Sequence, residues 1–298
     1  MHILITGGTG LIGTAVCRVL HTRGHQLTVL TRQQRAPEAE VTFVTALQDC
    51  AGGVDAVINL AGAGLADKRW TASYKREILS SRIDLTRDLV EWMAAQPEPP
   101  GRLISASAIG YYGASEEAVF TEASGAGEGF SATLCQQWEQ EASKASSAGA
   151  QVVTLRFGVV LAKEGGALGK MTQSFQLGVE SWLGSGTQWL SWIHLDDAVR
   201  AIEHALGEAS PALVYNATAP EPARHRELAR EVGCQSGSWI KLGVPAFAAR
   251  LLAGQMAEEL LLSGQRVLPQ ALLAEGFEFH YPTLAAALDN LQARELSG

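Results

Sequence analysis

The stretch Gly7-Gly8-Thr9-Gly10-Leu11-Ile12-Gly13 constrains this chain more than any other. It follows a short apolar run, His2–Thr6, and opens a segment of helical periodicity, Leu11–Arg23, that stops at Gly24. A strand that enters a helix through closely spaced glycines is the turn that cradles a dinucleotide. The first glycine permits the tight turn, Gly10 lets the backbone approach a pyrophosphate, and Gly13 lets the helix pack close to the sheet. Exposed amides around Thr9, Leu11 and Ile12, together with the positive end of the helix dipole, then hold the anion.

The rest of the first half repeats the alternation. Strand patterns occur at Gln26–Thr31, Val41–Val44, Val54–Leu60, Arg102–Ser107 and Gln151–Phe157. Helical patterns run from about Ser73 to Met93, stopping before Pro97-Glu98-Pro99-Pro100, and from Ser131 to Ser147. Helices of this length between strands imply right-handed parallel βαβ units. The expected fold is therefore α/β, a Rossmann-type doubly wound parallel sheet. After Leu161 the pattern changes. The stretch AKEGGALG looks like a loop entering a helix; Gln188–His194 is strand-like, a helix spans about Asp196 to Leu206, and Leu213–Asn216 is a further strand. From about Pro220 the chain is mostly helical. We expect a dinucleotide-binding Rossmann domain over residues 1–164, its sheet completed by about 188–218. Residues 165–187 and 219–298 then form a smaller, mainly helical, substrate-side lobe.

Composition narrows the function. The 298 residues are 47% apolar and 18% charged, with a formal net charge of −8 and no long basic run. Nucleic acid and anionic membranes are therefore not expected partners. A small-molecule substrate of unknown identity is, and a homodimer is allowed. No window approaches the roughly 18 apolar residues of a membrane span, and the N-terminus lacks the basic start of a secretion signal; a cytoplasmic location is expected. Cys17, Cys50, Cys135 and Cys234 lack ligand spacing, as do the histidines, so no metal is expected.

The end of the second strand selects the cofactor. An acidic residue there would hold a ribose 2′-hydroxyl. This chain has Thr31-Arg32 instead, a hydroxyl and a bidentate fork suited to a 2′-phosphate. NADP is the expected cofactor, and Arg35 is placed to share or take over the role of Arg32.

GGTGLIG at 7–13, NLAG at 59–62, SASAIGYYG at 105–113, RFGVVLAKEGGALGKM at 156–171 and WIHLDDAV at 192–199 resemble the extended branch of the short-chain dehydrogenase/reductase superfamily. LADKRW at 65–70, SRI at 81–83, LCQQWE at 134–139 and SGQRVLPQALLAEGFEF at 263–279 are similar, more narrowly, to the YfcH-like epimerase family proteins, described as atypical members. The resemblance implies that Leu60, Ala61 and Gly62 line the adenosine and ribose side. It also implies that Arg82 stands near the pyrophosphate, with Glu77 more than a turn earlier, and that the backbone around Val160 meets the nicotinamide amide.

Enzymes of that superfamily use a serine, a tyrosine and, one helical turn on, a lysine. None of the five tyrosines here is followed four residues later by lysine. The equivalent pair is either Leu134 with Trp138 or Cys135 with Glu139. Three readings stay open: Cys135 or Glu139 serves as substitute acid or base, Glu139 by way of an apolar cleft; Tyr111 or Tyr112 supplies the hydroxyl; or the pocket binds cofactor without catalysing. Ser107 is the candidate to orient substrate, with Ser105 two residues away on the same face. His194 is catalytic or structural, and an aspartate of Asp196-Asp197 is expected to cap the following helix. Trp182, Trp189 and Trp192 either stack on a ring of the substrate or build a lobe interface. The expected function is an NADP-binding oxidoreductase or nucleotide-sugar-epimerase-like enzyme. The alternative is a non-catalytic NADP-binding redox sensor or regulatory protein.

Overall fold

The computed structural model describes residues 1–36, 41–163, 165–171, 175, 178–207 and 212–293. Glu164, in the loop expected to enter a helix, lies outside them. Strands β1 (His2–Thr6), β2 (Gln26–Leu30), β3 (Val41–Val44), β4 (Ala56–Asn59) and β5 (Arg102–Ala108) join Gln151–Phe157 and Val214–Ala217 in one sheet. It has seven strands, in the order Val214–Ala217, Gln151–Phe157, β5, β4, β1, β2, β3, and every pairing is parallel. Strands buried on both faces read as continuous apolar runs, as HILIT in β1 does. Alternate residues of β1 divide between two cores. Ile3 and Ile5 pack with Val16 and Leu20 of helix α1 (Leu11–Thr22) and with Ile202 of the helix Leu195–Leu206. Leu4 faces Leu89 and Met93 on the other side. Strand order reverses at β1, so the crevice for a ligand opens beyond the carboxyl ends of β1 and β4.

The long helix expected between Ser73 and Met93 is interrupted. Helix α2 (Ala72–Leu79) passes through a π-helical turn, Ser80–Asp84, into α3 (Leu85–Ala94). The wider turn shifts the helical register, and Arg82, which it carries, is buried. Helix α4 (Phe130–Ser143) is shorter than expected and ends in a 3₁₀ turn, Lys144–Ala148.

The strand-like run 188–194 is also divided. Trp189–Leu190 pairs antiparallel with Ala223–Arg224, and Trp192–His194 pairs parallel with Val159–Leu161. Ser191 marks the break, donating to the Gln265 carbonyl at 2.8 Å and accepting from the Val267 amide at 2.9 Å. Alternation in sequence cannot report a change of partner. The C-terminal region is mainly helical, with its own core of Trp192, Leu228, Val232, Ala287 and Leu288. Among the described residues no helix is long and apolar enough to cross a membrane.

Two carboxylates tie this region to the sheet. The expected aspartate cap on Leu195–Leu206 is replaced by His194, whose Nδ1 accepts from the Asp196 amide at 3.1 Å. Asp197, fully buried, instead accepts from the His280 and Tyr281 amides, each at 2.9 Å. Helix α4 begins at Gly129, which has φ of 102° and no side chain to cap it. Glu259 supplies the cap from the C-terminal region, accepting from Phe130 N at 3.2 Å, Ser131 N at 2.9 Å and Ser131 Oγ at 2.7 Å. Partial burial opposes ionisation of Glu259, but the bonds from Ser131 outweigh it and hold its pKa below the usual value.

A carboxylate whose pKa is depressed by folding stabilises above its unfolded pKa, and the contribution fades as pH falls through the folded value. Glu259→Ala should cost about 1–2 kcal/mol in denaturant titrations at neutral pH. The gap to wild type should close below about pH 4. A gap unchanged down to pH 3 would show that the charge of Glu259 is not what caps α4.

Candidate functional site

The glycine loop is held by backbone contacts that admit no side chain. Gly7 has φ of 69°, and a Cβ on it would lie 2.7 Å from the Leu60 carbonyl carbon. A Cβ on Gly13 would lie 2.1 Å from the Gly7 carbonyl oxygen, so this glycine fits α1 against the loop itself. Gly10 N donates to Gly7 O at 2.9 Å, closing the turn. No side chain caps the first turn of α1, which leaves its leading N–H groups and dipole to an anion.

A cavity of about 890 Å³ opens at this loop. Of the expected cofactor residues, Gly7, Thr9, Gly10, Thr31, Arg32, Leu60, Ala61, Gly62 and Glu77 lie on its wall. Leu11 and Ile12 are half-buried behind the loop. Val160 pairs with Ile193 and packs on the main core, away from this wall. Sequence reading missed Thr45, Gln48, Ser81 and Trp92, which also line the wall, as do Asp88 and Glu91 of α3. The first two follow β3 at the sheet's carboxyl edge, and that position was the available signal.

Strand β2 ends at Leu30, one residue earlier than expected, and Thr31 N donates to Val44 O at 2.9 Å. Arg32 is exposed on the cavity wall, and among the described residues nothing binds its guanidinium. Arg35 turns away: it donates to Gln33 Oε1 at 3.3 Å and lies 5.7 Å from the Phe43 ring centroid. Glu77 pairs with Lys68 at 3.4 Å, an exposed contact of little energetic weight.

Behind the wall runs a buried polar chain. Thr6 Oγ1 donates to Asn59 Oδ1 at 2.6 Å and accepts from Ala61 N at 3.3 Å. Asn59 Nδ2 and Trp138 Nε1 both donate to Thr86 Oγ1, at 2.8 and 3.0 Å. It locks β1, β4, α3 and α4 together beneath the cavity. Arg82 lies beside Gly62, donating to Ala63 O at 3.0 Å and Ile78 O at 3.3 Å, with its guanidinium 5.2 Å from the Trp138 ring. Burial lowers its pKa. It touches the wall from behind: a Cβ on Gly62 would meet Arg82 Cζ at 2.7 Å.

Side chains from the end of β5 and from α4 meet in a second polar cluster. Leu134 packs with Trp70, Tyr74 and Ile78, and Trp138 is buried in the main core, whereas Cys135 and Glu139 lie on the side of the helix that meets Ser107. Ser107, not Ser105, faces them: Ser107 Oγ donates to Glu139 Oε1 at 2.6 Å. The apolar cleft expected around Glu139 is absent. Arg156 clamps the carboxylate with two bonds, Nε to Oε1 and Nη2 to Oε2, both at 2.8 Å. Burial opposes the charge on Arg156, but Glu139 outweighs it and raises the guanidinium's pKa. Arg156 Nη1 also donates to the Tyr112 hydroxyl at 2.9 Å, which donates in turn to Asn216 Oδ1 at 2.6 Å. Tyr111 lays its ring over Arg156 at 3.5 Å. Burial pushes the Cys135 thiol up to about 11, so it stays protonated at neutral pH. Arg156 was missed because a strand arginine carries no sign of its partner.

The tryptophans cluster around arginines. Arg224 lies 3.5 Å and Arg266 4.9 Å from the Trp189 ring, Arg226 lies 4.6 Å from Trp182, and Trp192 is fully buried.

Comparison with known proteins agrees with this geometry. Residues 3–217 match the NAD dependent epimerase/dehydratase family, and residues 244–291 match a domain of unknown function, DUF1731. The epimerase family protein SDR39U1 homolog, chloroplastic, of Arabidopsis thaliana is 39% identical over 300 residues, covering 97% of this chain and 86% of that protein. The epimerase family protein Mb2239 of Mycobacterium bovis is 38% identical over 294 residues, 96% of each. The crystal structure of human epimerase family protein SDR39U1 (isoform 2) with NADPH superposes with a TM-score of 0.86 at 32% identity, over 98% of this chain and 99% of that one. A match that begins in β1 and ends with the last strand of the sheet, with relatives similar along nearly their whole length, places the chain in the NAD dependent epimerase/dehydratase family.

Proposed function

We propose that this chain is an NADP-dependent oxidoreductase or epimerase-like enzyme acting on a small molecule. The observation that carries the reading is the cavity of about 890 Å³ running from the glycine loop to an unengaged Arg32, with no acidic residue among Leu30-Thr31-Arg32-Gln33. The NADPH in the human relative's structure supports the same cofactor here. Residues 1–164 form the cofactor domain in this reading, and 165–187 with 219–298 the substrate side.

The chain's own groups divide the work. The first-turn amides of α1 receive the pyrophosphate, with Thr9 and Gly10 at the mouth and Leu11, Ile12 and Gly13 setting the turn. Thr31 and Arg32 take the 2′-phosphate, and Leu60, Ala61 and Gly62 line the adenosine and ribose side. Arg82 braces that wall through Ala63, and Glu77 flanks it. When bound, the nicotinamide supplies the two-electron redox step. Ser107 orients the substrate oxygen and exchanges a proton with it: in alcohol oxidation Glu139 takes that proton from Ser107 along the 2.6 Å contact, and in carbonyl reduction a protonated Glu139 returns one by the same route. Arg156 aims the carboxylate, and the Tyr111 ring covers the guanidinium. Cys135, kept as a thiol, is a neighbour of Ser107 and not a nucleophile.

The second reading, a non-catalytic NADP-binding redox sensor, draws on one feature: Arg156 occupies both oxygens of Glu139 and so weakens it as a base.

Two experiments separate these ideas. Arg32→Asp should lower the NADP-to-NAD affinity ratio, read by calorimetry, by roughly 10- to 100-fold; an unchanged ratio removes Arg32 from the site. NADPH oxidation across a panel of carbonyl compounds should find turnover, and Ser107→Ala should cut kcat roughly 100- to 10,000-fold without changing NADPH affinity. Tight NADPH binding with no turnover of any panel member would select the sensor.

A further inference from the structure

Ten large apolar side chains are exposed among the described residues, and six of them fall between positions 239 and 252. They are Trp239, Ile240, Leu242, Phe247, Leu251 and Leu252, of which Trp239, Phe247, Leu251 and Leu252 are each more than 70% exposed. The strand Ile240–Val244 carries the first part of this surface and runs through Pro245 into the helix Ala246–Ala253, which carries the rest. Ile240 and Leu242 share one strand face, and Phe247 and Leu251 stand one helical turn apart on one helix face. None of the six belongs to the cofactor cavity or to the cluster at Ser107.

Three features say what covers it. First, with aromatic side chains of roughly 150–250 Å² each, the six expose on the order of 800 Å². A monomer's largest apolar patch is usually about 300–600 Å², while each partner in a stable interface buries about 800 Å². Second, among the described residues Ile240–Val244 pairs as a strand along one edge only, with Val179–Leu183. A free apolar edge invites another strand. Third, the charges within the patch are already neutralised: Lys241 faces Glu180 at 3.7 Å, and Arg250 pairs with Glu258 at 2.7 Å. The patch itself therefore offers no net positive charge to an anionic membrane. It is a neutral face on a chain of net charge −8, where two copies can meet without opposing charges.

We infer that the 239–252 face is a self-association surface, and that its occupant is the same face of a second copy of this chain. A two-fold axis makes the patch its own complement. It also allows the two free Ile240–Val244 edges to run antiparallel across the axis, with Phe247 and Leu251 packing on their counterparts. The inference stands apart from the cofactor reading, since no residue is shared.

Light scattering on the full chain, eluting from a sizing column at micromolar concentration, should give the mass of a dimer. Leu251→Glu and Phe247→Glu, each at an exposed position, should each weaken the dimer roughly 30-fold or more, as loss of a hot-spot contact does. NADPH affinity should stay unchanged, and the melting temperature of each variant should lose the dependence on protein concentration that a dimer gives the wild type. Leu273→Glu, on an exposed apolar position outside the patch, should leave the dimer intact. A wild-type protein that is monomeric at that concentration overturns the inference, as does a dimer that survives both substitutions. A monomer that sediments with phosphatidylcholine vesicles overturns it too, and gives the face to lipid.

Discussion

The rest of the structure depends on a backbone-to-backbone approach at the first crossover. The Gly7 carbonyl oxygen lies 2.1 Å from where a β-carbon on Gly13 would stand, and the Leu60–Ala61 peptide crowds the corresponding point on Gly7. Three segments therefore meet with nothing but main chain between them: the end of β1, the start of α1 and the end of β4. That closeness turns the uncapped amides of α1 toward the crevice where strand order reverses. The chain Thr6–Asn59–Thr86–Trp138 lies directly beneath. Buried amide and indole donors without partners would each cost about 1–3 kcal/mol, so the chain fixes the floor of the site as firmly as the glycines fix its mouth.

A second constraint is electrostatic. In the superfamily this chain resembles, a lysine one turn beyond a tyrosine supplies the positive charge near the reacting oxygen. Here the positive charge comes from a different element, Arg156 on the strand Gln151–Phe157, and it meets a glutamate on α4. With side chains only 5% and 15% exposed, the pair is far from free solvent. Such a pair holds its geometry because losing either partner strands a buried charge. The hydroxyls of Ser107 and Tyr112 both bond to it, so the polar cluster at the end of β5 is organised around an ion pair.

Carboxylates also attach the C-terminal region. Glu259 caps α4, Asp197 collects the His280 and Tyr281 amides, and Glu275 accepts from the Tyr215 hydroxyl and meets His204 at 2.6 Å. These contacts are directional where apolar packing is not, and they set the angle at which this region faces the sheet. Through α4, the cap at Glu259 reaches the helix that positions Cys135 and Glu139, which links the lobe mechanically to the proposed chemistry.

The sequence by itself determined the parallel sheet, the glycine loop and the Thr31-Arg32 pair, because each is a local matter. Periodicity, a glycine where no β-carbon fits, and residue type at a strand end all act within a few positions. The absence of a Tyr-x-x-x-Lys pair was equally plain. Which side chains of α4 meet β5 was not, because that register is chosen by packing: Leu134 goes to Trp70 and Ile78, and Glu139 meets Ser107. The π turn that carries Arg82, the partner change at Ser191, the His194 cap and the Arg156 clamp escaped sequence reading for one shared reason. Each joins groups brought together from separate elements or shifted by a single residue, and only the folded chain decides which of many polar side chains stand within hydrogen-bonding distance.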